Sequence, residues 1–400
     1  MTDSDAPAAH GHVFAGYSGR MLAVLTLGMG AGMAGRAAIP AMLPTIIDAY
    51  GITPSVAGLA ISALIAGIAL FQFAGGRLSD QTSRKTVLMA GVVLVALGFG
   101  ALALAPAFAV FLVGAAVIGV GQGLYLPATF AQIADLFSAR RGQAFGVNSA
   151  AFTLGSALGP GLAVAALAIG QFRLAYLPVV GLLVVVGILI HRLSRERYAT
   201  GWPTLDTRAT AIRLVRSPPI RRSLVAFAVV GFLWQGAVNF VPTLLQVDRG
   251  FSAAAAGAVF AGLFVVGTVS NLVAGNLGDR FGAPIVALGG VATGLVGLAV
   301  LVWADPTWMV IAGVLLFGFG VSAFWPVMDA YVMGRLPDDT AGGDFGAINT
   351  VNLAAGSLGP VYVGVVAERA SYTAAYAGFV IPFVFGLVVL WRLRQSADTG

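Results

Sequence analysis

Apolar stretches of about 20 residues recur along the chain between short polar segments, and each is long enough to cross about 30 Å of hydrocarbon as a helix. In the first half, the predicted spans are 21–45, 56–77, 86–105, 109–133, 143–168 and 175–194. In the second half, they are 223–246, 254–277, 285–303, 309–333, 343–366 and 373–394. The pattern therefore predicts twelve transmembrane helices, six in each half.

A sequence repeat relates the two halves. FGVNSAAFTLGSALGP at 145–160 returns as FGAINTVNLAAGSLGP at 345–360, and GGRLSD at 75–80 returns as AGNLGD at 274–279. Self-similarity at a fixed period indicates tandem duplication. We therefore expect an all-α membrane protein of two six-helix, pseudo-symmetric bundles. The predicted segments are an N-terminal tail at 1–20, bundles at 21–194 and 223–394, a linker at 195–222 and a C-terminal tail at 395–400.

Composition agrees with a membrane location, because 58% of the residues are hydrophobic, 10% are charged and 54 are glycine. Soluble globular proteins have a different balance. The chain contains no cysteine, which excludes disulfides, thiolate metal sites and cysteine catalysis. Residues 1–19 are polar and the first apolar run is too long for a cleavable signal peptide, so the first helix is expected to direct insertion.

Positive charge is concentrated on one side of the predicted topology. Of the 22 basic residues, all except Arg36, Arg173, Arg249 and Arg369 fall on the side of the two termini. By the positive-inside rule, this predicts that both termini are in the cytoplasm. We expect the protein to lie in the plasma membrane. The net charge of +6 then reflects topology and contact with anionic lipid, and nucleic-acid binding is not expected.

The linker at 195–222 is the longest polar interval, and two interpretations are open. Its 213–216 portion fits a short amphipathic helix on the lipid surface, ended by Pro218 and Pro219. A solvated tether that carries topogenic charge is the interpretation we favour.

The segment GRLSDQTSRK at 76–85 resembles the signature loop of the major facilitator superfamily, G-x-L-x-D-R-x-G-R-[RK]. A second copy, GNLGDRFG at 275–282, lies where that family places one. The first copy departs from the pattern at Gln81 and Ser83, and the second lacks the basic pair. With the twelve spans and the duplication, the resemblance covers nearly the whole chain. It implies a secondary transporter that works by alternating access.

The resemblance also implies a gating network on the cytoplasmic side. Asp80 is expected to lie against the N-terminus of a neighbouring helix, whose partial positive charge it complements. Arg84 and Lys85 are expected to pair with acids at other helix ends, and Asp135 is the obvious candidate. The second copy contributes Asp279 and Arg280 to the predicted gate. Because this copy has no basic pair, the latch is expected to be asymmetric.

The fifth predicted span resembles the antiporter motif of the same family, except that Ala163 and Val164 replace its last two glycines. Small residues at this spacing let helices approach closely, and proline bends a helix. Exchange transport and ordinary helix packing both remain open. The predicted packing residues are Gly146, Gly155, Gly159 and Pro160 in span five, and Gly356, Gly359 and Pro360 in span eleven.

Arg36 is the one basic residue deep inside a predicted span, a position that is costly for an arginine unless it faces water, a partner or a ligand. It lies about 22 Å along the helix from Met21, past the midplane of a core of about 30 Å. Aligned by the prolines that follow, its counterpart is Trp234, and the pair is expected at the interface of the repeats. A fixed guanidinium favours an anionic solute. Snorkelling to the outer interface and a purely structural pairing are the alternatives.

Polar and aromatic residues on the cavity-lining spans are expected to complete the substrate site, although such residues also serve as interhelical hydrogen bonds. They are Gln72, Gln122, Tyr125, Gln235, Asn239, Asn271 and Trp325. Asp329, in span ten, is a candidate proton-coupling carboxylate. Its position about 6 Å from the end of the helix suits interfacial solvation equally well.

The leading hypothesis is a monomeric secondary transporter of a small organic or anionic solute, with protons or another ion as the candidate coupling partner and no cofactor. A proton-coupled drug exporter is the alternative, favoured by the glycines of span five. It is disfavoured by Gly119, where such exporters carry arginine, and by the lack of an acid in span one. A polytopic membrane enzyme or sensor is the alternative of another class. It is disfavoured because His10 and His12 lie in the N-terminal tail, His191 lies next to the linker, and no pair has metal-ligand spacing.

Overall fold

The computed structural model describes residues 13–14, 16–138, 140–201, 207–336 and 341–397, and this part is almost entirely helical. The first half contains α1 (Gly16–Ala41), α2 (Leu43–Tyr50), α3 (Pro54–Gln81), α4 (Arg84–Leu104), α5 (Phe108–Leu136), α6 (Arg141–Ala168), a 3₁₀ turn (Phe172–Tyr176) and α7 (Leu177–Leu193). The second half contains α8 (Thr207–Arg216), α9 (Pro218–Val247), α10 (Ala253–Phe281), α11 (Ala283–Trp303), α12 (Thr307–Ser322), α13 (Phe324–Met333), α14 (Ala341–Gly356), α15 (Leu358–Arg369), α16 (Tyr372–Gly378) and α17 (Val380–Ala397).

Twelve helical segments of the described chain are long and apolar enough to cross a membrane, and each overlaps one predicted span. The prediction of an all-α, twelve-span protein is confirmed. Spans 1 to 5 are α1, α3, α4, α5 and α6, and span 6 joins the 3₁₀ turn to α7. Spans 7 to 9 are α9, α10 and α11. Spans 10, 11 and 12 are the pairs α12–α13, α14–α15 and α16–α17.

Because the number of spans is even, both chain ends lie on one face, here called the terminal face. The opposite face is called the distal face.

The helix breaks inside the spans lie just before prolines. Proline has no N–H to donate and clashes with the carbonyl four residues earlier. Each break and the proline that follows it are Ala323 and Pro326, Ser357 and Pro360, and Phe379 and Pro382. A similar break at Met42, ahead of Pro44, ends α1 at Ala41, which is why the predicted span 21–45 is too long at its C-terminal end.

The signature segment at 76–85 is mostly helix, which corrects its prediction as a loop. Helix α3 continues through Gln81, and only Thr82 and Ser83 separate it from Arg84, the first residue of α4. The hydroxyl of Thr82, the residue after α3, donates to the Leu78 carbonyl at 2.6 Å. This side chain therefore satisfies a carbonyl in the last turn of the helix.

Within each bundle, glycines bring two spans into backbone contact. Gly155 of α6 lies against the backbone of Gly30 in α1, and Gly359 of α15 lies against Gly236 in α9. A Cβ atom at Gly155 or Gly359 would collide with the backbone of the facing helix. The two contacts join the same pair of spans in each repeat, and they fix span 5 on span 1 and span 11 on span 7.

The prolines of the same motif face the other bundle. Gly257 of α10 lies beside Pro160, and a Cβ on this glycine would be 3.6 Å from the proline Cβ. Gly58 of α3 lies against the carbonyl of Pro360. The bundles therefore meet along two pseudo-symmetric seams, span 5 with span 8 and span 11 with span 2. Gly146 faces open space, so its predicted packing role is wrong in this conformation.

Two glycines of α6 provide a matched test of this packing. We expect Gly155→Ala to lower stability by about 1–3 kcal/mol, because the added methyl group must displace α1 backbone. Gly146→Ala should leave stability unchanged or raise it by about 0.5–1 kcal/mol, because alanine favours the helix and the site is open. Thermal unfolding of the purified variants measures both effects. Equal melting temperatures for the two variants would contradict the packing assignment.

Candidate functional site

A polar bridge joins the two bundles at Arg36. Its Nη2 atom donates to Oε1 of Gln235 in α9 at 3.4 Å. The same Oε1 accepts from Nδ2 of Asn239 at 3.3 Å, and that amide also donates to the Gln235 carbonyl at 2.7 Å. Gln235 and Asn239 are 8% and 7% exposed, whereas Arg36 is half-buried. The predicted residues Arg36, Gln235 and Asn239 are thus brought together.

A small cavity lies beside this bridge, between apolar walls. It is lined by Arg36, Ile39, Ala60, Ile61, Leu64, Ile65, Phe111, Ala115 and Asn239. Its volume is about 10 Å³, close to the space of a single water molecule. Among the described residues, no carboxylate forms an ion pair with Arg36. The site therefore presents an uncompensated cation, in a space that a solute can enter only if the bundles separate.

Trp234 does not face Arg36, which corrects the predicted pairing. Its ring stacks on Phe317 of its own bundle, with centroids 6.2 Å apart and planes 9° from parallel. The adjacent residue Gln235 meets the guanidinium instead. A shift of one residue in the repeat alignment turns a helical side chain by about 100°, which is enough to exchange the two roles.

Gln122 and Tyr125 lie inside the first bundle and not at the Arg36 cavity. The Tyr125 hydroxyl donates to the Leu25 carbonyl at 3.0 Å, and Gln122 Nε2 donates to the Gly32 carbonyl at 3.4 Å. Both side chains are buried. They attach α5 to α1, so the interhelical interpretation accounts for them.

The other predicted substrate contacts are dispersed. Gln72 is half-buried, Asn271 is exposed, and neither lines the cavity around Arg36. The half-buried Trp325 packs edge-on against Phe324, with ring centroids 5.2 Å apart. Asp329 is half-buried in α13, near the terminal face, whereas Arg36 is in the distal part of α1. These four residues are therefore not brought together with Arg36.

The terminal face carries an ion-pair network centred on Arg84. The guanidinium pairs with Asp80 one turn earlier in the chain, and its Nε donates to Asp135 at 3.1 Å. Its Nη1 also donates to the Ser79 hydroxyl at 3.1 Å. Asp80 thus meets a side chain where a helix N-terminus was expected. The network joins α3, α4 and α5, which all belong to the first bundle.

Lys85 has carbonyl partners where acids were expected. Its Nζ donates to the carbonyls of His191 at 3.0 Å and Ser194 at 3.2 Å, at the end of α7. A cation at this position complements the negative end of the helix dipole. The ammonium also lies 4.8 Å from the ring centroid of Tyr198. Lys85 therefore holds span 3 against the end of span 6.

Ser83, one of the departures from the family motif, binds the linker. Its hydroxyl donates to Oε2 of Glu196 at 3.0 Å, and the backbone N–H of Lys85 donates to the same oxygen at 3.2 Å. The carboxylate therefore caps the N-terminal end of α4, where N–H groups have no partner in the helix. Glycine has no hydroxyl for this contact. Sequence reasoning missed Glu196, and the unusual serine was its only signal.

The later linker binds the second bundle. Arg213 of α8 makes a two-pronged contact with Asp344 of α14, with Nη2 to Oδ1 at 2.7 Å and Nε to Oδ2 at 3.2 Å. The Asp344 side chain is only 1% exposed, and Leu214 and Thr210 are also buried. The preferred prediction of a solvated tether is therefore wrong for this segment, which is a helix docked on protein.

The second copy of the signature segment is free of such contacts. Asp279 and Arg280 are exposed at the end of α10, and within the described chain neither forms an ion pair. On the distal face, a different contact joins the bundles. The Glu368 carboxylate, in span 11, accepts hydrogen bonds from the side chain and backbone of Ser55 and from the Thr53 hydroxyl, at the start of span 2.

Comparison with known proteins gives the family. The model of the Major Facilitator Superfamily matches residues 22–269 and 245–400. The chain belongs to the major facilitator superfamily. It is therefore a multi-pass membrane protein and a secondary transporter, and it is not an enzyme.

The names of related proteins point to different substrates. The probable sulfoacetate transporter SauU of Cupriavidus necator is 28% identical, over 84% of this chain and 84% of that protein. The class C tetracycline resistance protein of Escherichia coli is 26% identical, over 84% of this chain and 86% of that protein. A solved bacterial homolog of the human lysosomal transporter Spinster, inward-facing and occupied, has a TM-score of 0.81 and 16% identity, covering 96% of this chain and 98% of that one. The last likeness establishes the fold.

The packing around Gly119 is incompatible with the arginine of the exporter motif. A Cβ atom at this position of α5 would collide with the backbone of Leu64 in α3. The contact of span 2 with span 4 therefore leaves no space for the arginine that drug exporters of the family carry here.

The linker contact gives a testable difference between two arginines of α8. We expect Arg213→Ala to lower stability by about 1.5–3 kcal/mol relative to Arg216→Ala, because it removes charged hydrogen bonds from the buried Asp344. Arg216 is exposed and serves as the matched control. Thermal unfolding in detergent measures the difference. The double variant Arg213→Ala/Asp344→Asn should recover part of the loss, and no recovery would contradict the pairing.

Proposed function

We propose that this secondary transporter carries a small organic anion, bound at the bundle interface by Arg36 with Gln235 and Asn239. The observation that carries the proposal is the uncompensated guanidinium between the two bundles. Holding a cation in a largely apolar protein interior is costly, and an anionic solute would offset that cost when it binds. A guanidinium can bind a carboxylate, sulfonate or phosphate through two parallel hydrogen bonds.

Alternating access follows from the size of the cavity. About 10 Å³ is too small for any organic solute, so loading requires the bundles to move apart. We propose that the distal seams open for one access state, which breaks the contact of Glu368 with Ser55. The pseudo-symmetric seams at Pro160 and Pro360 are suited to such rocking, because small and rigid residues there can separate without unpacking either bundle.

We propose that the terminal face is cytoplasmic, in the plasma membrane. The basic residues of the chain concentrate on this face, and the rule that relates such charge to topology supports this orientation. The Arg84 network and the docked linker would then lie on the cytoplasmic side. We expect the transporter to act as a monomer.

A proton-coupled drug exporter is the second candidate. The tetracycline resistance relative and the half-buried carboxylate of Asp329, for which the described residues supply no ion-pair partner, support it. Two observations count against the exporter. The backbone of Leu64 occupies the space that a side chain at Gly119 would need, and Asp329 is far from Arg36 along the membrane normal.

Transport in proteoliposomes tests the role of Arg36. We expect Arg36→Ala to lower sulfoacetate flux at least about tenfold, because it removes the charged hydrogen bonds to the solute. Arg36→Lys should retain part of the flux, since lysine keeps the charge but not the two-pronged geometry. Arg20→Ala, in the exposed first turns of the same helix, is the matched control.

Other organic anions are tested by counterflow in the same vesicles. If Arg36→Ala carries every transported anion at the rate of the unmodified protein, the anion proposal is wrong. Tetracycline flux that is driven by a pH gradient, lost in Asp329→Asn and unaffected in Arg36→Ala would establish the exporter alternative.

The two copies of the signature segment give a test of the gate. We expect Asp80→Asn to lower the transport rate severalfold, because it removes one carboxylate from the Arg84 network. Asp279→Asn, at the corresponding position of the second copy, should leave the rate close to that of the unmodified protein, because Asp279 is exposed and unpaired among the described residues. Equal loss in both variants would contradict the asymmetric gate.

A further inference from the structure

A groove opens on the outer surface of the second bundle, between α11 and α17. Its volume is about 630 Å³, within the range of small-molecule sites. Val384, Val388 and Trp391 on its α17 wall are 48%, 45% and 48% exposed. In a multi-pass membrane protein, this surface faces lipid. The lining is apolar toward the centre of the span and polar at the terminal face: Leu288, Ala292, Val384, Leu387 and Val388, then Trp391, Arg392 and Gln395.

The length of the groove matches one leaflet. The segment from Val384 to Gln395 extends about 16 Å along α17, and half of a hydrocarbon core of about 30 Å is about 15 Å. The polar end belongs to the last turns of span 12, at the level where tryptophan commonly meets the headgroups. The groove therefore has the dimensions and polarity of a single phospholipid in the leaflet of the terminal face.

The corresponding positions of the first bundle carry larger side chains. By the register of the signature copies, Val93 of α4 corresponds to Ala292, and Ala90 corresponds to Gly289. Val93 is 45% exposed, whereas Ala292 is shorter and Gly289, one turn earlier, faces open space. The loss of side-chain volume on α11 thus widens the space between spans 9 and 12. Since both bundles face the same bilayer, this loss is a departure from the repeat.

We propose that this groove binds an anionic phospholipid. One acyl chain lies along Ala292, Val384 and Val388, and the phosphate is bound by Arg392. The Gln395 amide and the Trp391 indole N–H supply further donors at the headgroup level. Charge decides between lipids, because a guanidinium attracts an anionic headgroup by about 1 kcal/mol near the surface, while a zwitterionic headgroup gains much less.

Native mass spectrometry of the full-length protein, titrated with phosphatidylglycerol and phosphatidylcholine, tests the proposal. We expect phosphatidylglycerol to bind more tightly, and Arg392→Ala to weaken its binding about fivefold. Arg392→Lys should restore most of the affinity. The matched control is Arg192→Ala, the corresponding exposed arginine at the end of span 6, which should leave the affinity unchanged.

A second variant separates the groove from general surface charge. Ala292→Phe fills the groove and keeps every charge, and we expect it to weaken phosphatidylglycerol binding as well. If this variant does not fold, Val388→Trp narrows the groove from its exposed wall. Equal loss in Arg392→Ala and Arg192→Ala, or unchanged binding in the filled groove, would overturn the proposal, because each indicates a non-specific annulus of anionic lipid.

Discussion

Backbone contact between glycine-rich helices is the constraint on which this assembly depends. Lipid offers no hydrophobic drive for helices to associate, so close approach must supply the attraction. Gly155 meets Gly30 within the first bundle, and the adjacent Pro160 faces the second bundle. In the copy, Gly359 meets Gly236 within the second bundle, and Pro360 faces the first bundle. One short motif therefore sets the spacing inside each bundle and also the seams between them, and the polar bridge of Arg36 lies between those seams.

The sequence was sufficient to predict the spans and the duplication, because both are encoded in segments of about 20 residues and tolerate small errors in alignment. The predicted site required more precise information. An error of one residue in register placed Trp234 opposite Arg36, whereas Gln235 occupies that position. Hydropathy cannot detect such an error, since it measures the length of a helix and not the direction of one side chain.

Sequence reasoning also missed polar contacts between residues that are far apart in the sequence. Glu196 caps a helix more than a hundred residues earlier in the chain, and Asp344 pairs with Arg213 across a similar separation. Neither acid belongs to a motif, and each obtains its partner only from the way the bundles fold. Ser83 was the one visible clue, since a departure from a family pattern can mark a contact particular to one protein.

The helix breaks near prolines lie at different places in the two halves. Each break interrupts the ladder of backbone hydrogen bonds that resists bending of a helix, and spans 10, 11 and 12 carry one each at Ala323, Ser357 and Phe379. In the first half, a break lies at Met42, while α6 continues past Pro160 as one helix. The duplicated halves therefore differ in where a helix can bend: span 11 is divided beside its seam with span 2, whereas its counterpart, span 5, meets span 8 as a continuous helix.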